Sequence, residues 1–136
     1  MREAVVRQLF RAVGAIAISA CAAVSAPAAY ARGPLSEAQQ LETVSLSELP
    51  SQARTTHRLI LKGGPFPFEK DGTVFGNRER LLPAKKRGYY REYTVKTPWS
   101  RDRGARRIVC GGHPPTQPEA CYYTSDHYNS FRKITP

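Results

Sequence analysis

The chain has 136 residues, with 21 Lys and Arg against 11 Asp and Glu and a net charge of +10. That length allows one domain with one sizeable core and excludes a multidomain assembly within the chain. The charge nominates polyanions as partners, because each phosphate neutralised by Lys or Arg releases condensed counterions, although a basic surface also serves solubility alone.

Residues 1–31 carry the marks of an export signal. Arg2, Arg7 and Arg11 precede an apolar run from Val13 to Val24 that is too short to cross a bilayer, and Ala29-Tyr30-Ala31 supplies a small-x-small cleavage site. Cleavage after Ala28 is a second option, and Cys21 in Ile18-Ser19-Ala20-Cys21 offers a weaker lipoprotein reading. Cleavage after Ala31 removes three of the 21 basic residues and one of the 11 acidic ones (Glu3), leaving 18 against 10, or +8. The expected destination is the periplasm or the medium.

Residues 32–45 are polar without an apolar period and read as a flexible arm ahead of a domain at 46–136. Ser47 to Lys62 reads as the main helix, with Ser47 as N-cap, Pro50 in the first turn and Gly63-Gly64 as the stop. His57 lies in that helix with no ligand partner at a useful spacing and is assigned no role. Pro65-Phe66-Pro67-Phe68 cannot continue a helix, and Asp71-Gly72 marks a turn into the short apolar stretch Thr73-Val74-Phe75. Gly88–Thr97, Arg106–Cys110, Ala120–Thr124 and Ser130–Thr135 read as strands. The expected fold is α+β, one main N-terminal helix packed on a small antiparallel sheet. With Cys21 removed, Cys110 and Cys121 are left either to bridge or to remain as thiols, and their spacing does not decide between them.

Strand alternation divides the sheet into two faces. Tyr93 and Val95 fall on one side and Glu92 and Thr94 on the other, while Ile108 and Cys110 oppose Arg107 and Val109. If the apolar set faces the helix, Glu92 and Arg107 share the open face. Alone, such a pair is most simply a cross-strand ion pair. Arg101, Arg103, Arg106 and Arg107 crowd one Gly-containing turn, where they suit either a solvated loop or an anion site for forked guanidinium groups. Asp126-His127-Tyr128 adds an imidazole that exchanges protons near neutral pH.

Five segments in order, GPFP (64–67), DGTVFGNRE (71–79), YYREYTV (89–95), RDRGARRIVCG (101–111) and DHYNSF (126–131), resemble the microbial guanyl-specific ribonucleases of the barnase and T1 type, and the ribonuclease Sa branch most of all. The likeness runs from Leu46 to Ile134. It implies RNA cleavage by the RNA's own 2′-hydroxyl, with Glu92 as general base, His127 as general acid, and Arg103 and Arg107 on the scissile phosphate. Neither a metal nor another cofactor is expected. It also implies a guanine site from Phe75, Gly76, Asn77, Arg78 and Glu79, with Tyr128 beside the base or ribose. Gly76 stands where the ribonuclease Sa branch carries glutamine. The implied partners are single-stranded RNA and a small acidic inhibitor similar to barstar, with the protein acting as a monomer. A non-catalytic RNA-binding module on the same fold is the competing expectation. No convincing exposed amphipathic helix supports stable membrane association.

Overall fold

The computed structural model describes residues 40–136, so the expected leader and most of the arm lie outside the described residues. In chain order the elements are β1 (Thr43–Ser45), a 3-10 turn (Leu46–Glu48), α1 (Ser51–Lys62), β2 (Thr73–Val74), β3 (Tyr90–Thr94), β4 (Arg107–Gly111), β5 (Ala120–Thr124) and β6 (Arg132–Thr135). The strands form one sheet in the order β1-β6-β5-β4-β3-β2. Pairing is antiparallel from β2 to β6, and β1 joins the far edge in parallel with β6, opposing Val44 to Ile134. The sheet is therefore mixed where an antiparallel one is expected from sequence, and Thr43–Ser45 leaves the anticipated arm to become its edge strand. Among the described residues, no helix is long and apolar enough to cross a membrane.

The helix begins later than Ser47. Ser45 caps the 3-10 turn, its side chain accepting from Ser47 N–H while Glu48 reaches back to Ser45 N–H. Leu49 is then extended (φ −72°, ψ 153°) because the following Pro50 disfavours helical backbone before it. Pro50 lies at the N-cap of α1, and Gly63 ends the helix in the left-handed conformation (φ +82°), a backbone state open to glycine at little steric cost.

Ala53, Thr56 and Ile60 recur at helical spacing and form the buried stripe of α1. They meet Tyr93 and Val95 at the end of β3, Ile108 and Cys110 on β4, and Cys121 and Tyr123 on β5. Ile60, Val95 and Ile108 are fully enclosed, each stabilising the fold by roughly 1.5–3 kcal/mol relative to exposure. Thr56 Oγ1 donates to Thr94 O at 3.0 Å across this interface, which ties the helix to the strand that carries Glu92. The opposite face of the sheet builds a second cluster from Leu82, Tyr90, Val109, Tyr122 and Phe131, with Phe75, Leu81 and Tyr128 packed against it. From this second cluster Phe75, Leu81, Tyr128 and Phe131 line the cleft described below.

Cys110 and Cys121 form a disulfide between residues that oppose each other in the β4–β5 register. The bridge closes the Gly111–Ala120 hairpin and sits in the helix-side core. Replacing both cysteines by alanine should lower unfolding free energy by about 2–3 kcal/mol, the loop-closure contribution for a ring of this length. Urea denaturation of the double variant measures it, and an unchanged midpoint would reject the stabilising role.

Candidate active site

A cleft of about 610 Å³ opens on the face of the sheet away from α1. Its walls include Phe75, Gly76, Asn77, Arg78 and Glu79 from the loop after β2, Glu92 from β3, and His127 and Tyr128 from the loop after β5. The β2–β3 and β3–β4 registers explain the meeting: Glu92 opposes Thr73 on one side and Val109 on the other, so its carboxylate rises from mid-sheet into the cleft.

Glu92 is gripped from two sides. Tyr128 Oη donates to its Oε2 at 2.7 Å, and Arg103 Nη2 approaches its Oε1 at 3.4 Å. Burial, and then the hydrogen bond to Glu92, push the Tyr128 phenol up to about 12, so it is a lasting donor at neutral pH. Arg103 is itself aimed by Thr94, whose Oγ1 accepts from its Nε at 3.0 Å, and its Nη2 lies 4.0 Å from Asp71 Oδ1. The Asp71 side chain is only 1 % exposed, and its carboxylate accepts from Thr94 N–H at 2.7 Å and Phe68 N–H at 3.2 Å. Thr94 shares the open face with Glu92 by simple alternation, but no role for it follows from sequence alone. Asp71 has no local signal beyond its turn, because its partners are 23 residues away or on the backbone.

Arg107 departs from the expectation that it projects freely from the sheet. It is 2 % exposed, covered by the Arg101–Arg106 loop, and its Nη1 donates to the carbonyls of Gly104 and Arg106 at 2.8 Å, with Arg103 O at 3.4 Å. Its guanidinium carbon sits 5.9 Å from the Tyr128 ring centre. Its Nε is buried without a hydrogen-bond partner among the described residues. Neither Arg103 nor Arg107 lines the cleft, but Arg103 borders it through Glu92, as Arg107 does through Tyr128.

His127 and Tyr128 occupy consecutive left-handed backbone positions (φ +53° and +71°), a costly arrangement for side-chain-bearing residues. Hydrogen bonds hold it: His127 N–H donates to Ala105 O at 3.0 Å, and Tyr128 N–H to Thr124 Oγ1 at 3.2 Å. Asp126 then locks the loop, its carboxylate accepting from Ser130 Oγ and N–H and from Thr124 Oγ1. Asp126 is thus the loop's organiser.

On the opposite wall, Asn77 is left-handed (φ +48°), and its side-chain amide clamps Leu82 through both N–H and C=O. That clamp shapes the 77–82 loop and leaves the Asn77 and Arg78 backbone N–H groups without a protein acceptor among the described residues. Glu79 is exposed at the rim. Phe75 packs 5.0 Å from Tyr128 and 5.9 Å from Phe131 between ring centres, so it belongs to both core and cleft.

The hydrogen bonds of Asp126, led by the one from Ser130, hold its carboxyl below the ordinary value. A depressed folded-state value adds stability above the unfolded value of about 3.9, and that stability is lost as pH falls through the folded value. Asp126→Asn should therefore flatten the acid limb of the stability–pH curve below about pH 4. Urea unfolding from pH 6 to pH 2 checks this, and parallel curves for the two proteins would remove Asp126 from that limb.

Comparison with known proteins agrees with this fold. Residues 33–135 match the ribonuclease family model. Guanyl-specific ribonuclease St of Saccharopolyspora erythraea is 52 % identical over 99 residues, covering 73 % of this chain and 93 % of that protein. Guanyl-specific ribonuclease Sa3 of Kitasatospora aureofaciens is 58 % identical over 91 residues, covering 67 % of this chain and 62 % of the relative. A structure of ribonuclease Sa2 in complexes with mononucleotides superposes with a TM-score of 0.66 at 50 % identity, over 71 % of this chain and 95 % of the other. Another, of ribonuclease Sa2 with guanosine-2′-cyclophosphate, gives 0.64 at 49 % identity over 71 % and 97 % of the two chains. With its helix packed behind a sheet whose other face carries the Glu92 cleft, the chain belongs to the ribonuclease family.

Proposed function

We propose that the protein is a guanyl-specific endoribonuclease that cleaves single-stranded RNA on the 3′ side of guanosine through a 2′,3′-cyclic phosphate. The observation that carries this reading is the placement of Glu92, fixed by Tyr128 and Arg103, in one cleft with His127 and the 75–79 loop.

The chemistry follows from where these groups stand. Glu92 takes the proton of the guanosine 2′-hydroxyl as its oxygen attacks the adjacent phosphorus. As that P–O bond forms, the bond to the 5′-oxygen of the next nucleoside breaks, and His127 delivers a proton to the departing oxygen. Arg103 at the cleft border and Arg107, buried beside Tyr128, oppose the charge gathering on the non-bridging oxygens with positive charge held in place before substrate arrives. In the second step the roles reverse: His127 takes a proton from water, water attacks the cyclic phosphate, and Glu92 returns a proton to the 2′-oxygen. A 3′-phosphate results. DNA lacks the nucleophile and is not cut.

Guanine selection rests on Glu79, whose carboxylate accepts together from guanine N1–H and the exocyclic amine, a donor pair that adenine does not present. The free N–H groups of Asn77 and Arg78 suit O6 and N7, and Phe75 and Tyr128 offer aromatic surface to base or ribose. Gly76 leaves room at this loop. A Cβ there would meet only the Arg78 side chain, at 3.6 Å, so the small residue widens the site without a backbone need for glycine.

The wider setting is part of the same proposal. The leader at 1–31 and the Cys110–Cys121 bridge support export to the periplasm or medium, where disulfides persist. The excess of basic residues over the whole chain suits a small acidic inhibitor protein similar to barstar, binding a monomer of this chain.

Glu92→Gln and His127→Ala should each lower cleavage of GpU by about 10²–10⁴-fold while melting near the parent protein. Assay by cyclic-phosphate formation checks the pair, and near-normal turnover by either would remove that residue from its role. Glu79→Gln should spare the chemistry but bring cleavage after adenosine closer to cleavage after guanosine. Sequencing the products of a mixed-sequence RNA reads this, and an unaltered base ratio would move specificity elsewhere.

A further inference from the structure

A second cavity, of about 620 Å³, shares no lining residue with the cleft and takes no part in the chemistry above. Thr97, Trp99, Arg101, Gly104, Arg106 and Ser125 are among its walls. Trp99 is the sole tryptophan of the chain and, at 75 % exposure, the most exposed large hydrophobic side chain of the described residues. The Arg106 guanidinium carbon lies 5.1 Å from the centre of its ring, covering one side by a cation–π contact. The high exposure leaves the rest of the indole to solvent.

The loop under Trp99 is built before any ligand arrives. Ser100 N–H donates to Thr97 O at 3.0 Å, and Asp102 Oδ1 accepts from Ser100 Oγ at 2.6 Å and from Gly104 N–H at 2.7 Å. Gly104 is left-handed (φ +62°), and a Cβ there would fall 2.7 Å from Thr97 Oγ1, so the turn closes this tightly only on glycine. An aromatic plane held open beside Arg106 and Arg101 is the pairing that single-stranded nucleic acid uses, with bases stacked on the ring and phosphates on the cations.

One hydrogen bond ties a wall of the cleft to a wall of the second cavity. His127 lines the cleft, Ala105 lines the second cavity, and His127 N–H donates to Ala105 O at 3.0 Å. In the ribonuclease reading, on which this inference rests, guanosine occupies the 75–79 side and the leaving nucleoside departs past His127. The RNA strand on that side is then directed toward Trp99.

We propose that Trp99, Arg101 and Arg106 form a second RNA subsite, which binds the nucleotide following the leaving nucleoside, its base on the Trp99 indole and its phosphate on the arginines. A dinucleotide GpU is too short to reach this subsite, whereas GpUpUpU fills it. The subsite gives longer RNA a higher kcat/KM and leaves the chemistry at the scissile bond unaltered.

The test compares GpU with GpUpUpU as substrates for the parent protein, Trp99→Ala and Arg101→Ala. Trp99→Ala should lower kcat/KM on the tetranucleotide by about five- to tenfold, the scale of one lost base stack, and leave GpU cleavage unchanged. Arg101→Ala should act in the same direction and weaken the salt dependence for the tetranucleotide only. Trp99 fluorescence supplies a readout without turnover: the all-deoxy tetranucleotide dGpdUpdUpdU should quench it and the deoxy dinucleotide should not. Equal losses on both substrates, no loss on either, or fluorescence indifferent to the deoxy tetranucleotide would overturn the subsite. Failure of the parent protein to cut GpU would instead overturn the ribonuclease reading. A Trp99 that serves a protein partner would leave the length dependence intact in Trp99→Ala, and that result also counts against the proposal.

Discussion

Successive residues of a strand point to opposite faces, and along β3 and β4 this rule forces core residues and the proposed catalytic groups into one short segment. Tyr93 and Ile108 go to α1, while Glu92 goes to the cleft and Arg107 under the loop that borders it. A shift of register by one residue would send Glu92 into the helix interface and Tyr93 into solvent. The apolar packing of Val95 and Ile108 against Ile60 therefore fixes the height at which the carboxylate stands. Stability and site geometry are consequences of the same alternation.

The crowding of arginines after β3 is resolved by sharing out acceptors. Arg107 takes backbone carbonyls of the Arg103–Arg106 turn, Arg103 takes Glu92 and Thr94, and Arg106 rests against Trp99. Asp71, enclosed beneath Arg103, accepts from two backbone N–H groups and sets its carboxylate 4.0 Å from the Arg103 guanidinium. Each of these three guanidinium groups thus has a separate seat, and their positive field is set without the side chains having to be reordered on binding.

Much of this plan is legible in the residues because it depends on local periodicity. The α1 segment, the four strands from β3 to β6 and the shared open face of Glu92 and Thr94 all follow from spacing and turn residues. What escaped is non-local. Thr43–Ser45 carries too few residues for a pattern and becomes a strand only because β6, some 90 positions away, offers an edge. Pro50 moves the helix start by extending Leu49, a preference overlooked when Ser47 is taken as the cap. Alternation assigns Arg107 to a face, but its burial depends on a loop folding over it. The motif resemblance places Glu92, Arg103, Arg107 and His127 as functional; it does not reveal Asp71 or the locking of the His127 loop by Asp126, both of which act through hydrogen bonds fixed by the folded chain.

The bridge between Cys110 and Cys121 separates two things that a hairpin ordinarily couples. In an unclamped hairpin the turn helps to set the pairing of its strands, so each insertion there risks a slip of register. Here the sulfurs pin opposed residues at the base of the loop, and Glu119 N–H to Gly111 O at 2.8 Å fastens it just beyond. The segment from Gly112 to Pro118 is thereby released from specifying the sheet. Its length and composition are open to drift, since enlarging a closed ring costs entropy only logarithmically. The hairpin end is accordingly the natural place for this scaffold to accept a foreign peptide while β4 continues to hold Arg107 and Val109 in register beside Glu92.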